Sequence, residues 1–103
     1  MADSYTIGAE PAADGAATIL RLAGELDINA RDDLREALLL ALADGDVVVD
    51  LEAVSFLDSE ALGALIDGFN AGRGRGAGFR VINSRDVVDR VLTVSGAKEL
   101  FDS

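Results

Sequence analysis

The sequence has no cysteine, no histidine and no tryptophan, and it holds a single proline, a single methionine and a single lysine, Lys98. Without cysteine, a disulfide framework, a zinc–thiolate centre and a thiol nucleophile are excluded. Without histidine there is no Ser-His-Asp triad, no imidazole to hold a metal, and no unperturbed side chain to shuttle protons near neutral pH. Long apolar runs are missing too: none approaches the ~20 residues that a membrane-spanning helix requires. Residues Met1 to Glu10 lack the basic start and continuous apolar stretch of a signal peptide. These absences lead to the expectation of a cytoplasmic protein that is not itself an enzyme.

Positive charge is also scarce. Nine Lys and Arg stand against nineteen Asp and Glu, a net charge of −10, which repels phosphate backbones and anionic lipid surfaces. Neither nucleic acid nor membrane is therefore an expected partner. What is present is apolar substance: half of the 103 residues are hydrophobic. A chain of this length makes one domain, taken as residues 1–103, and buries roughly 60 to 70% of its unfolded surface. No metal, cofactor or disulfide is implied.

Tyr5 to Ala9 and Ala16 to Leu22 carry β-branched and aromatic residues around a turn-like Ala12-Ala13-Asp14-Gly15, which predicts an N-terminal β-hairpin. Between Arg31 and Leu42 the apolar positions Leu34, Ala37, Leu38, Ala41 and Leu42 follow the spacing of one helical face. Asp44-Gly45-Asp46 ends that helix. Val47-Val48-Val49-Asp50-Leu51 predicts a central strand buried on both faces. After a loop through Phe56, a second helix from Ser59 to Asn70 aligns Leu62, Leu65, Ile66 and Phe69. The run Ala71 to Gly78, four glycines alternating with Arg73, Arg75 and Ala77, predicts a flexible connection. Phe79 to Ile82 reads as a strand. Asn83, Ser84 and Asp86 offer capping oxygens for a third helix bearing Val87, Val88, Val91 and Leu92. The order β, β, α, β, α, β, α predicts an α/β fold: a mixed sheet with helices mainly on one side.

Little in the chain suggests catalysis. Asp44 and Asp46 flank a glycine but lack the further oxygen ligands of a calcium loop, and the Gly-Arg run has no following Lys-Ser or Lys-Thr and no interleaved aromatic. The informative stretch is Val54-Ser55-Phe56-Leu57-Asp58-Ser59-Glu60-Ala61-Leu62-Gly63, which passes from a buried strand into an amphipathic helix. Asp58 and Ser59 suit plain N-capping. The same geometry, with free amides and a positive dipole end, also suits a phosphate carried on Ser59.

Gly24-Glu25-Leu26-Asp27, Val49-Asp50-Leu51, the Val54 to Gly63 stretch and Ser95-Gly96 together resemble the STAS domains of bacterial anti-sigma factor antagonists, over about Ile19 to Gly96. That resemblance implies a STAS fold and a partner-switching cycle. The unphosphorylated antagonist binds an anti-sigma factor serine kinase and so frees a sigma factor; the kinase then phosphorylates the antagonist. It implies Ser59 as phosphate acceptor, with Asp27, Asp58 and Glu60 beside it at the partner-binding surface. Where the family commonly has a second Ser or Thr and then Gly, this chain has Glu60 and Ala61. Glu60 favours a second reading, a phosphorylation-independent STAS scaffold or sensor that binds a protein or small ligand. The family's C-terminal helix is expected to be short or absent.

Overall fold

The N-terminal hairpin forms as its sequence predicts. In the computed structural model, which describes residues 4–102, β1 (Tyr5–Pro11) and β2 (Ala17–Leu26) pair antiparallel, with Ile7 opposite Leu22 and Pro11 opposite Thr18. Then follow α1 (Ile28–Asp44), β3 (Asp46–Leu57), α2 (Ser59–Arg75), β4 (Phe79–Ile82), α3 (Asp86–Val94) and α4 (Ala97–Phe101). The sheet order is β1-β2-β3-β4, with β2, β3 and β4 parallel, so the sheet is mixed and β3 lies inside it. Crossovers between parallel strands are right-handed, and two successive ones moving in the same direction put α1 and α2 on one face.

That face buries Leu20, Leu22, Val47, Val49 and Leu51 with Leu34, Leu38 and Leu42 of α1 and Leu62, Leu65 and Phe69 of α2. Each such side chain contributes about 1.5–3 kcal/mol relative to exposure. The opposite face is less covered than the run of valines predicts: Val48, Ile19 and Ile82 are only half-buried there. Among them sits Asp50, 5% exposed. Its Oδ2 accepts from Arg21 Nη1 at 2.7 Å, and its Oδ1 from the Glu52 amide at 3.0 Å and Asn83 Nδ2 at 3.2 Å. A buried carboxylate so paired ties β2, β3 and the segment after β4 together.

Several boundaries differ from the sequence expectation. β3 continues through the predicted loop, because two register shifts against β2 place extra β3 residues between Arg21 and Ala23 and between Gly24 and Glu25. Such bulges break the two-residue alternation, and only Val54 and Leu57 are buried after Leu51. α1 begins three residues before Arg31. α2 runs through most of the Gly-Arg segment, and only Gly76, Ala77 and Gly78 connect it to β4. Glycine serves close contact there. A β-carbon on Gly68 would lie 2.9 Å from Leu38 Cδ1, and one on Gly72 3.1 Å from Leu42 Cδ2. The turn is made by Gly76, in the left-handed conformation that ends helices.

The side chains expected to cap α3 do not cap it. Asn83 and Asp86 have φ of 62° and 49°, Asn83 is engaged with Asp50, and Ser84 Oγ donates to Asp89 Oδ1 at 2.7 Å. Arg85 occupies the N-cap without a side-chain bond. The last described residues form the short α4, whose Phe101 ring packs at a tilt against Phe69 and Phe79.

Candidate functional site

β2 and β3 end side by side, Leu26 in register with Leu57, and each strand passes into its helix through one aspartate. Asp27 Oδ1 accepts the Asn29 amide at 2.9 Å, and Asp58 Oδ1 accepts the Glu60 and Ala61 amides, both at 3.0 Å. The Asp58 amide donates to Leu26 O at 3.0 Å, which fixes one cap against the other strand. Two helix N-termini, each with a positive dipole end, therefore open on the same surface. Upstream, Gly24 is required: at φ 87° a β-carbon would collide with the Ser4 carbonyl oxygen.

Ser59 is the first residue of α2. It is exposed, and its hydroxyl makes no hydrogen bond among the described residues. Asp58 is half-buried and Asp27 likewise, both turned to capping. Glu60, also half-buried, points to α1, where its Oε1 accepts from Arg31 Nη1 at 2.7 Å. Glu60, and then Asp32, hold the Arg31 guanidinium above its already high pKa. The structure thus brings Asp27, Asp58, Ser59 and Glu60 onto adjoining first turns.

Three residues that the sequence reading passed over complete the surface. Ile28, first in α1, is 54% exposed, and Phe56, just after the last bulge of β3, is 44% exposed. Arg31 is the third. A basic residue in a first turn runs against the helix dipole, and that mismatch was the one signal in the sequence that it has a carboxylate partner elsewhere. No imidazole or thiol exists to activate Ser59, and no helix among the described residues is long and apolar enough to cross a membrane.

The fold and this pair of capped loops belong to a known class, and sequence comparison agrees. The family model described as "Mlab, STAS domain" matches residues 9–102, and the chain belongs to the STAS domain family. A STAS-domain containing protein of Pseudomonas aeruginosa (strain UCBPP-PA14) is 33% identical over 96 residues, 92% of this chain and 95% of its relative. The anti-sigma-B factor antagonist of Bacillus subtilis (strain 168) is 30% identical over 84 residues, 81% and 77% of the two chains. Among solved structures, an anti-sigma factor antagonist from Mycobacterium paratuberculosis superposes with a TM-score of 0.84 at 27% identity, covering 95% of this chain and 83% of the other.

Proposed function

We propose that this protein is a cytoplasmic anti-sigma factor antagonist, working by binding and not by catalysis, whose partner is an anti-sigma factor serine kinase and whose switch is Ser59. In its unphosphorylated form it occupies the kinase and a sigma factor is released; phosphate on Ser59 ends the contact. The observation that carries this reading is the exposed Ser59 hydroxyl at the mouth of α2, directly after the capping Asp58. A phosphate there adds about −1.5 to −2 charges to a surface that already holds Asp27, Asp58 and Glu60. The relatives named as antagonists support the same reading.

Glu60 favours a second reading, a scaffold that binds its partner without being phosphorylated. A carboxylate next to the acceptor opposes the approach of the ATP γ-phosphate. Incubation with ATP and the cognate kinase, followed by intact-mass measurement, separates the two. The switch reading expects one added phosphate on the parent and none on Ser59→Ala. A kinase that binds the parent tightly yet transfers nothing replaces it with the scaffold reading.

A further inference from the structure

β1 is antiparallel to β2, and α1 returns along β2, so β1 and α1 run in the same direction with a groove between them. The Tyr5 hydroxyl bridges one end of it, donating to Asp33 Oδ2 at 2.5 Å. Along the groove lie two hollows of about 500 and 250 Å³ that share Ile7, Ala37 and Leu40 as lining. Ile7 and Ala37 pack against the core, but Leu40 is 66% exposed.

The groove borders an open strand edge, because β1 is outermost in the sheet. Ser4 O accepts from the Glu25 amide at 2.9 Å, and the Ala12 amide donates to Ala17 O at 2.8 Å. Opposed residues of an antiparallel pair alternate between bonded and unbonded. Thr6, Gly8 and Glu10 therefore turn their main chain to β2, while Ile7 and Ala9 turn N–H and C=O outward. Those outward groups have no partner among the described residues. Edge strands are normally blunted by charge, proline or a covering element. Here Glu10 and Pro11 guard only the far end, and Tyr5 to Ala9 carry no charge.

Charge decides what fits. Every charged side chain lining the groove is acidic: Asp33, Glu36 and Asp44, along one flank of α1. A second copy of this chain would bring the same carboxylates and its own net charge of −10 to the contact. We propose that the β1 edge and this groove receive an extended basic segment of a partner protein. The segment adds a strand beside Ile7 and Ala9, sets an apolar side chain against Ile7 and Leu40, and lays a Lys or Arg on the carboxylates to either side. The lengths agree. Eleven positions separate Asp33 from Asp44, about 16 Å along a helix; on a strand, side chains four positions apart share a face and stand about 13 Å apart.

The site is independent of Ser59 and is tested on the whole chain with the peptide acetyl-Thr-Arg-Thr-Leu-Thr-Arg-Thr-amide, against the same peptide with Glu for both Arg. Amide shifts and amide exchange are followed by NMR at low salt. The expected result is saturable movement at Ile7, Ala9, Ala37 and Leu40, with slowed exchange of the Ile7 and Ala9 amides. The acidic peptide should bind about tenfold more weakly or worse, as the loss of charge-assisted hydrogen bonds implies. Glu36→Lys with Asp44→Lys, both exposed, should weaken the basic peptide by about tenfold or more at unchanged circular dichroism. Ala9→Pro removes an outward N–H and no bond to β2, and should weaken it too. The proposal is overturned if the basic peptide gives no saturable shifts, if the acidic peptide binds as well, if either folded variant binds unchanged, or if the shifts centre on Ser59. It is overturned also if the parent chain sediments as a dimer that Leu40→Lys dissociates, which would give the groove to a second copy.

Discussion

Ser59 and Asp58 are adjacent in sequence but differ in how far the fold depends on them. Asp58 holds two first-turn amides of α2, so Asp58→Ala should cost about 0.5–2 kcal/mol. Urea denaturation is expected to show a lower midpoint with an unchanged slope. Ser59→Ala removes no observed bond and should leave that midpoint nearly unmoved. The Glu60–Arg31 pair gives a finer test. Arg31 partly neutralises the carboxylate next to Ser59, so Arg31→Gln should slow phosphorylation by the cognate kinase and Glu60→Gln should speed it. Equal initial rates for the two variants would mean that this charge does not reach the acceptor.

At the scale of elements, α1 and α2 run side by side along matched rungs: Arg31 to Glu60, Arg35 to Asp67, Leu38 against Gly68 and Leu42 against Gly72. A β-branched residue at Gly68 has no room. Gly68→Val is expected to cost about 1–3 kcal/mol by overpacking, seen as a fall in Tm. A different tether joins α3 to α4. Lys98 Nζ lies 2.7 Å from Asp89 Oδ1, and with the Ser84 hydroxyl it lowers the Asp89 pKa. A depressed carboxylate contributes its stability above the ordinary pKa, about 3.9, and loses it as pH falls through the lower folded value. The protection of α4 amides, taken relative to their intrinsic exchange rate at each pH, should therefore fall on acidification below about pH 4, and Asp89→Asn should remove that dependence.

The same elements explain what the sequence made legible. β-branched runs around a turn found the hairpin, and periodicity found α1 and α2 because each has a buried stripe. It missed the length of β3, since bulges replace alternation with a spacing near three. It read the Gly-Arg run as loose because glycine required for contact and glycine required for a turn look alike in one dimension. Neighbouring oxygens suggested caps for α3, but Asn83 and Ser84 are engaged by Asp50 and Asp89, partners far apart or out of phase in the chain. Of the proposed site, Asp58 and Ser59 could be read locally, and Asp27 came only through the family resemblance. Arg31 could not, since its partner Glu60 is supplied by another helix.

For the molecule as a whole, charge is the dominant surface property. The described ion pairs are largely exposed and are each worth about 0–1 kcal/mol, while a net charge of −10 is repulsive throughout. Raising NaCl from about 10 to 200 mM, which shortens the screening length severalfold, should raise Tm. A fall would mean that the ion pairs outweigh the repulsion. The other molecular property is the locked pair of helices, whose first turns form the Ser59 surface while Gly68 and Gly72 hold their far ends in contact. Such a body has little freedom to change shape when one hydroxyl is modified. On the proposed reading, the message is carried by the surface potential alone and leaves no conformational memory. Removing the phosphate would restore the earlier state at once, with no refolding delay, so the lifetime of the signal would be set entirely by the phosphatase that erases it.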